Sequence, residues 1–155
     1  MPVRVRSYLP SDAAAFRDLN VAWITAHFEL EDKDRELLDN PDAMVIGKGG
    51  RILIAELDGA AVGTVALMPV RPGRVELCKM AVSEGLRGKG IGKALIQAAE
   101  ETARSMGATK IWLETNTVLA PALALYKSCG YEEAQGEDSI RSPYTRCNAQ
   151  FVKAV

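Results

Sequence analysis

Four glycines, Gly85, Gly88, Gly90 and Gly92, fall within eight residues of the segment Val82-Ser83-Glu84-Gly85-Leu86-Arg87-Gly88-Lys89-Gly90-Ile91-Gly92-Lys93. A strand pattern leads into this run and a long helical pattern leads out of it. Glycine tolerates positive φ and close backbone approach, so successive N–H groups can point into one concavity. The helix that follows adds its own free N–H groups and the positive end of its dipole. Arg87, Lys89 and Lys93 add charge of the same sign. The segment therefore predicts an anion cradle for a phosphate or pyrophosphate. A flexible turn carrying solubilising lysines explains such a density of glycine at a strand-to-helix junction less well.

Two familiar phosphate motifs fail on position. A Walker loop needs Ser or Thr after its Gly-Lys, but Gly92-Lys93 is followed by Ala94, and Arg87 stands where the first Gly belongs. A dinucleotide fingerprint starting at Gly88-x-Gly90 would require Gly or Ala at Lys93.

The rest of the chain sets the frame around the cradle. Val3 to Leu9 alternates as a strand, and Pro10-Ser11-Asp12 ends it with Ser11 or Asp12 as a helix cap. Helical spacing runs from Ala13 to Phe28, and a second short helix is expected over Glu31 to Leu38, stopped by Asn40-Pro41. Strands follow at Arg51–Leu57, Ala61–Met68 and Val75–Val82, with Asp58-Gly59 as a hairpin turn. Ile91, Leu95, Ala98 or Ala99, Thr102 and Met106 share one face of the long helix. Lys110 to Glu114 reads as a strand and Pro121 to Cys129 as a helix with Gly130 just past its end. Strands are expected from Tyr131 onward and from Arg146 to Lys153. This order is a mixed α/β or α+β sheet, not a doubly wound parallel one.

Composition closes off other classes. A chain of 155 residues with 48% hydrophobic and 25% charged residues is expected to form a single globular domain over 1–155. A net charge of -1 argues against a non-specific nucleic-acid binder. One His and no CxxC pair among Cys78, Cys129 and Cys147 leave no metal or redox motif, so no metal is expected. The first residues lack a signal-peptide pattern, and no apolar stretch approaches the ~18 residues of a membrane span, so a cytoplasmic protein that binds neither membrane nor nucleic acid is expected.

Arg87-Gly88-Lys89-Gly90-Ile91-Gly92 resembles the R/Q-x-x-G-x-G/A signature of the GNAT superfamily of N-acyltransferases. Leu77-Cys78-Lys79-Met80-Ala81-Val82 is similar to that family's fourth strand, and Leu125-Tyr126-Lys127-Ser128-Cys129-Gly130-Tyr131 to its LY-x-x-x-GF segment, with Tyr131 in place of Phe. The two motifs lie at the family's usual separation. The resemblance implies a mixed, mostly antiparallel sheet of seven strands with about four helices, splayed between strands 4 and 5.

It also implies acetyl-CoA as acyl donor. The N–H groups from Arg87 through Gly88, Lys89, Gly90, Ile91 and Gly92 to Lys93 would hold the pyrophosphate, with Lys89 and Lys93 either reaching phosphates or simply solvated. Leu86 and Val82 would follow the pantetheine arm, beside Ala81, and the Met80 N–H would donate to the thioester oxygen. Tyr126 matches the residue that protonates the leaving thiolate, or is a core aromatic. A phenol suits that role because it is protonated at neutral pH. Glu76 is the candidate base, or an outward-facing strand residue, and Glu114 is a weaker rival. Asn116 orients CoA or substrate, or caps the next helix.

The acceptor pocket is expected from Trp23, His27, Phe28, Glu29 and Glu31 in the first helices and from Tyr144 and Arg146 late in the chain. Acidic groups there would attract a cationic amine, while Arg146 would suit a carboxylate. His27 is a conceivable base or a structural residue, and Cys78 and Cys129 are expected as small core residues. The expected function is transfer of an acetyl group to a primary amine of a small molecule. The alternatives are a protein or peptide acceptor, an O-acyltransferase, or a non-catalytic acyl-CoA-binding module. A homodimer through late strands is among the expected assemblies.

Overall fold

The computed structural model describes residues 2–155. The chain runs β1 (Arg4–Ser7), α1 (Ala13–His27), α2 (Asp32–Asp39), α3 (Pro41–Met44), β2 (Arg51–Leu57), β3 (Ala60–Arg71), β4 (Arg74–Val82), α4 (Ile91–Ser105), β5 (Lys110–Thr115), α5 (Ala120–Ser128), β6 (Glu132–Glu133) and β7 (Ala149–Ala154). All strands join one sheet in the order β1-β2-β3-β4-β5-β7-β6. Every neighbouring pair is antiparallel except β4 and β5, which are parallel. The expected mixed, mostly antiparallel seven-stranded sheet is present, with five α-helices rather than about four. Among the described residues no helix is long and apolar enough to cross a membrane.

Helices cover both faces, which is why β2 reads as a continuous apolar run rather than an alternation. Its Leu53 and Ala55 join Val65, Leu77, Leu95, Ile96 and Ile111 in the larger core, against α4. Its Ile52 and Ile54 join Phe16, Ile24, Leu38 and Val45 in the smaller core, against α1 and α2. The two strand faces thus serve two separate cores. Gly63 of β3 lets α4 approach closely: a Cβ there would stand 3.1 Å from Ile91 and from Leu95.

Local departures from the sequence reading have physical causes. Pro41 ends α2, but it also opens α3, where a first-turn proline lacks nothing the helix needs. Asp12 does not cap α1 through its side chain. Its carboxylate accepts the Leu9 N–H at 2.7 Å and pairs with Arg6, which ties β1 to the following turn. The strand expected from Tyr131 shrinks to Glu132–Glu133 at the sheet edge. The last strand starts at Ala149, so Arg146 and Cys147 lie in the loop before it.

Candidate functional site

β4 and β5 pair only over Arg74–Glu76 and Lys110–Trp112. Past these residues the strands diverge and a cavity of about 380 Å³ opens between them. Backbone groups on the facing edges then lack sheet partners and need a ligand or water. The cavity runs from the glycine segment to Glu76 and Glu114, with Tyr126 of α5 on its wall.

β4 is also bulged. Thr64 pairs with Ala81 and Ala66 with Cys78, so Lys79 and Met80 together oppose Val65. Lys79 takes φ +53, an uncommon conformation for a residue with a side chain. Such a bulge re-aims its residues relative to a regular ladder, and both Lys79 and Met80 line the cavity.

At the cradle, Gly85, Gly88 and Gly90 have φ of 86, 78 and 85. α4 begins with Gly90 as its cap, and the first bond of the helix runs from the Ala94 N–H to the Gly90 carbonyl at 3.0 Å. Among the described residues no backbone N–H from Arg87 through Lys93 donates to a protein acceptor, while the Arg87 Nε–H donates to the Val82 carbonyl at 3.4 Å. Arg87, Lys89 and Lys93 are exposed and carry no ion pair among the described residues.

The opposite end of the cavity is built from paired side chains. Asp34 of α2 is fully buried and receives four hydrogen bonds. These come from Lys79 Nζ at 2.7 Å, Arg146 Nη1 at 2.6 Å, Arg146 Nη2 at 2.7 Å and the Glu31 N–H at 2.9 Å. Burial acts to raise its pKa, but the bonds from Arg146 and the charge of Lys79 outweigh it and hold the carboxyl at about 2. Arg146 also reaches Glu31 at 3.3 Å. Tyr144 lies against both cations, 4.5 Å from Lys79 and 4.6 Å from Arg146, and its hydroxyl accepts from Lys79 at 3.0 Å. Burial raises the phenol to about 12, so it is protonated at neutral pH.

Glu76 and Glu114 have no such partners. Burial, with the charge of Glu114 added, raises Glu76 to about 7, and Lys79 offsets part of this. Both carboxylate oxygens of Glu114 are buried and make no hydrogen bond. Desolvation raises its pKa, offset in part by nearby Ser142 and Cys147 and by the charges of Lys79 and Arg146. Burial also pushes Tyr126 up to about 12. Its ring packs edge-on to Tyr131 at 6.2 Å, and its hydroxyl bonds to no described side chain.

The fold brings most of the sequence candidates together. Glu76, Met80, Ala81, Val82, Arg87, Gly88, Gly90, Gly92, Lys93, Asn116, Tyr126, Trp23, Phe28 and Tyr144 all line the one cavity. Four do not. Lys89 points to solvent, and Ile91 packs into the larger core, leaving only its backbone at the cradle. His27 is exposed and stacks near Trp23 at 5.3 Å and Phe28 at 6.3 Å, and Glu29 is exposed as well. His27 lies on the same helix face as Trp23, one turn further on at the exposed end of α1, and Glu29 lies past that end.

Three further readings gain detail. Arg146 is not free for a carboxylate, because Asp34 and Glu31 neutralise it. Cys78 packs against the smaller core as expected and also lines the cavity, and burial raises its thiol pKa. Asn116 makes bonds of both kinds within the protein, donating to the Arg146 carbonyl at 2.6 Å and accepting from the Val118 N–H at 2.9 Å. Sequence reasoning did not single out Asp34, Lys79, Asn20 or Cys147. Lys79, charged within the apolar run from Leu77 to Val82, was the one available signal.

Comparison with known proteins agrees with this architecture. The model of the acetyltransferase (GNAT) family matches residues 14–131. N-acetyltransferase 8B of Rattus norvegicus is 34% identical over 103 residues, 63% of this chain and 46% of the relative. The uncharacterized N-acetyltransferase YjgM of Escherichia coli is 37% identical over 82 residues, 51% of this chain and 49% of the relative. The chain thus spans about half the length of the curated relatives it matches. A GNAT-family acetyltransferase of Staphylococcus aureus superposes with a TM-score of 0.88 at 20% identity, covering 99% of both chains. The PaiA N-acetyltransferase of Thermoplasma acidophilum, solved in complex with coenzyme A, superposes with a TM-score of 0.78 at 18% identity, covering 100% of both chains. With a family model spanning the splayed strands, the glycine segment and α5, the chain belongs to the GNAT acetyltransferase family.

Proposed function

We propose that residues 1–155 form an acyltransferase domain that moves an acetyl group from acetyl-CoA to a primary amine of a small molecule. The observation that carries this reading is one continuous cavity joining an unpaired N–H cradle to a carboxyl of raised pKa and a protonated phenol. The open N–H groups of Arg87 to Lys93 suit a diphosphate, and the unpaired edge of β4 from Met80 to Val82 suits the amides of a pantetheine chain.

In the reaction the amine nitrogen attacks the thioester carbonyl carbon, forming C–N and breaking C–S. An amine arrives protonated at neutral pH, so Glu76 accepts its proton, and a carboxyl poised near 7 is matched to that task. The bulge at Lys79 and Met80 favours the Met80 N–H as the donor to the developing oxyanion. Tyr126 gives its hydroxyl proton to the departing thiolate. The proton shed by nitrogen as the amide forms restores the phenol.

Mixing the protein with acetyl-CoA and a panel of amines while detecting free thiol tests the reading. Thiol release that depends on the amine and is lost in Tyr126→Phe is expected. Acetyl-CoA binding without turnover across the panel would instead favour a non-catalytic acyl-CoA-binding module.

A further inference from the structure

The charge balance at the acceptor end of the cavity is specific. Four ionic groups there close on each other: Lys79 and Arg146 on one side, Asp34 and Glu31 on the other. Lys79 gives further contact to Tyr144, whose ring covers both cations. Among the described residues no free cation remains at this end to meet a carboxylate. Two carboxyls do remain, Glu76 and Glu114, neither with an ion pair among the described residues, and Glu114 has only the neutral Ser142 and Cys147 beside it. Both line the cavity, and the two oxygens of Glu114 are buried at its wall.

An unpartnered buried carboxylate is costly, and a protein keeps one where a ligand completes it. The group that completes two neighbouring carboxyls is an ammonium, which donates three hydrogen bonds and supplies the missing positive charge. Beyond this polar end the wall is mostly apolar, with Trp23 and Ile24 of α1 and Phe28 just past its end, and Asn20 as its polar member. Such a wall accepts hydrocarbon or an aromatic ring and offers a second charge no partner.

We propose that Glu114 binds the ammonium of the acceptor beside Glu76, and that the site selects primary alkyl- or arylalkylamines lacking a carboxylate on the amine-bearing carbon. The site discriminates by repulsion as well as attraction. An amino acid would set its carboxylate against Glu76 and Glu114, with Lys79 and Arg146 already held by Asp34. The inference rests on the proposed acetyl transfer for its meaning, but the selectivity is a property of binding and can be measured without turnover.

The test is calorimetry on protein saturated with CoA, using matched pairs: phenethylamine against phenylalanine, tyramine against tyrosine and isoamylamine against leucine. At least tenfold tighter binding of each amine is expected, with Glu114→Gln weakening the amines at least tenfold while CoA affinity stays within twofold. Equal or reversed affinity within the pairs overturns the proposal, and so does Glu114→Gln that binds the amines as wild type does. The wild-type comparison needs no variant, so a misfolded Glu114→Gln leaves the proposal open to refutation. A lysine-containing peptide that binds at least tenfold more tightly than phenethylamine overturns the small-amine class. Retained selectivity without thiol release from acetyl-CoA supports the proposal and counts against the acetyl-transfer reading instead.

Discussion

The two ends of the cavity handle charge in opposite ways. At the glycine segment the anion-seeking groups are mostly backbone N–H groups, and the nearby Arg87, Lys89 and Lys93 are exposed and unpaired among the described residues. At the far end Lys79 and Arg146 are mostly buried and fully paired, and the unmatched groups are carboxyls. One end is therefore short of an anion and the other short of a cation. A backbone cradle is indifferent to most side chains and depends on conformation. A side-chain network depends on every member, because each buried charge stands only while its partner does.

The sharpest way to break this contrast is Asp34→Ala. It strands two buried cations and should destabilise the fold by about 3–5 kcal/mol in urea unfolding, while CoA affinity of the folded fraction stays near wild type. The same carboxyl sets an acid limit. Its folded pKa of about 2 lies below the ordinary value, so its stabilisation is complete above about pH 4 and lost as the pH falls toward about 2. Asp34→Ala should flatten the unfolding profile in that window.

Glu76→Gln should lower kcat/KM by about 10²–10⁴ and remove a rising limb centred near pH 7. Stability should move the other way. A carboxyl raised to about 7 binds more protons folded than unfolded, so wild-type stability falls as pH rises from about 4.5 to about 7. The variant escapes that loss, and its melting temperature at pH 8 should match or exceed wild type. A lower melting temperature would mean that Glu76 is a structural partner after all.

Tyr126→Phe should lower turnover on the order of 100-fold with stability changed by less than about 0.5 kcal/mol, since its hydroxyl bonds to no described side chain. The smallest effect is expected at the cradle. Gly90→Ala has open space for its methyl but must hold φ near 85, which should cost about 1 kcal/mol. It should raise the KM for acetyl-CoA several-fold and leave the KM for the amine unchanged. A change in the amine KM would show that the two ends are coupled.

The contrast also explains what could be read in advance. Gly85, Gly88, Gly90 and Gly92 announce the cradle because a backbone conformation leaves its mark in adjacent residues. The face of α4 that buries Ile91, Leu95 and Ala99 is equally local. Glu76 and Tyr126 came from motif position, and the cavity contains both. His27 and Glu29 looked equivalent to Trp23 and Phe28 in the sequence, yet only the latter pair lines the cavity, because His27 sits at the exposed end of α1 and Glu29 points outward past it. Arg146 looked available because Asp34, 112 residues earlier in the chain, carries no local sign of its role.

The sequence alone determined most of the order of elements, the glycine-rich turn with its open N–H groups and the family resemblance, because these rest on periodicity, glycine conformation and contiguous motifs. Only the tertiary structure decided which charges remain free. Asp34, Lys79, Glu114 and Arg146 come from four separate segments, and their pairing depends on the splay of β4 from β5 and on the bulge at Lys79. Electrostatic partnership is set by distance in space and by burial, and neither is encoded in the spacing of residues along the chain.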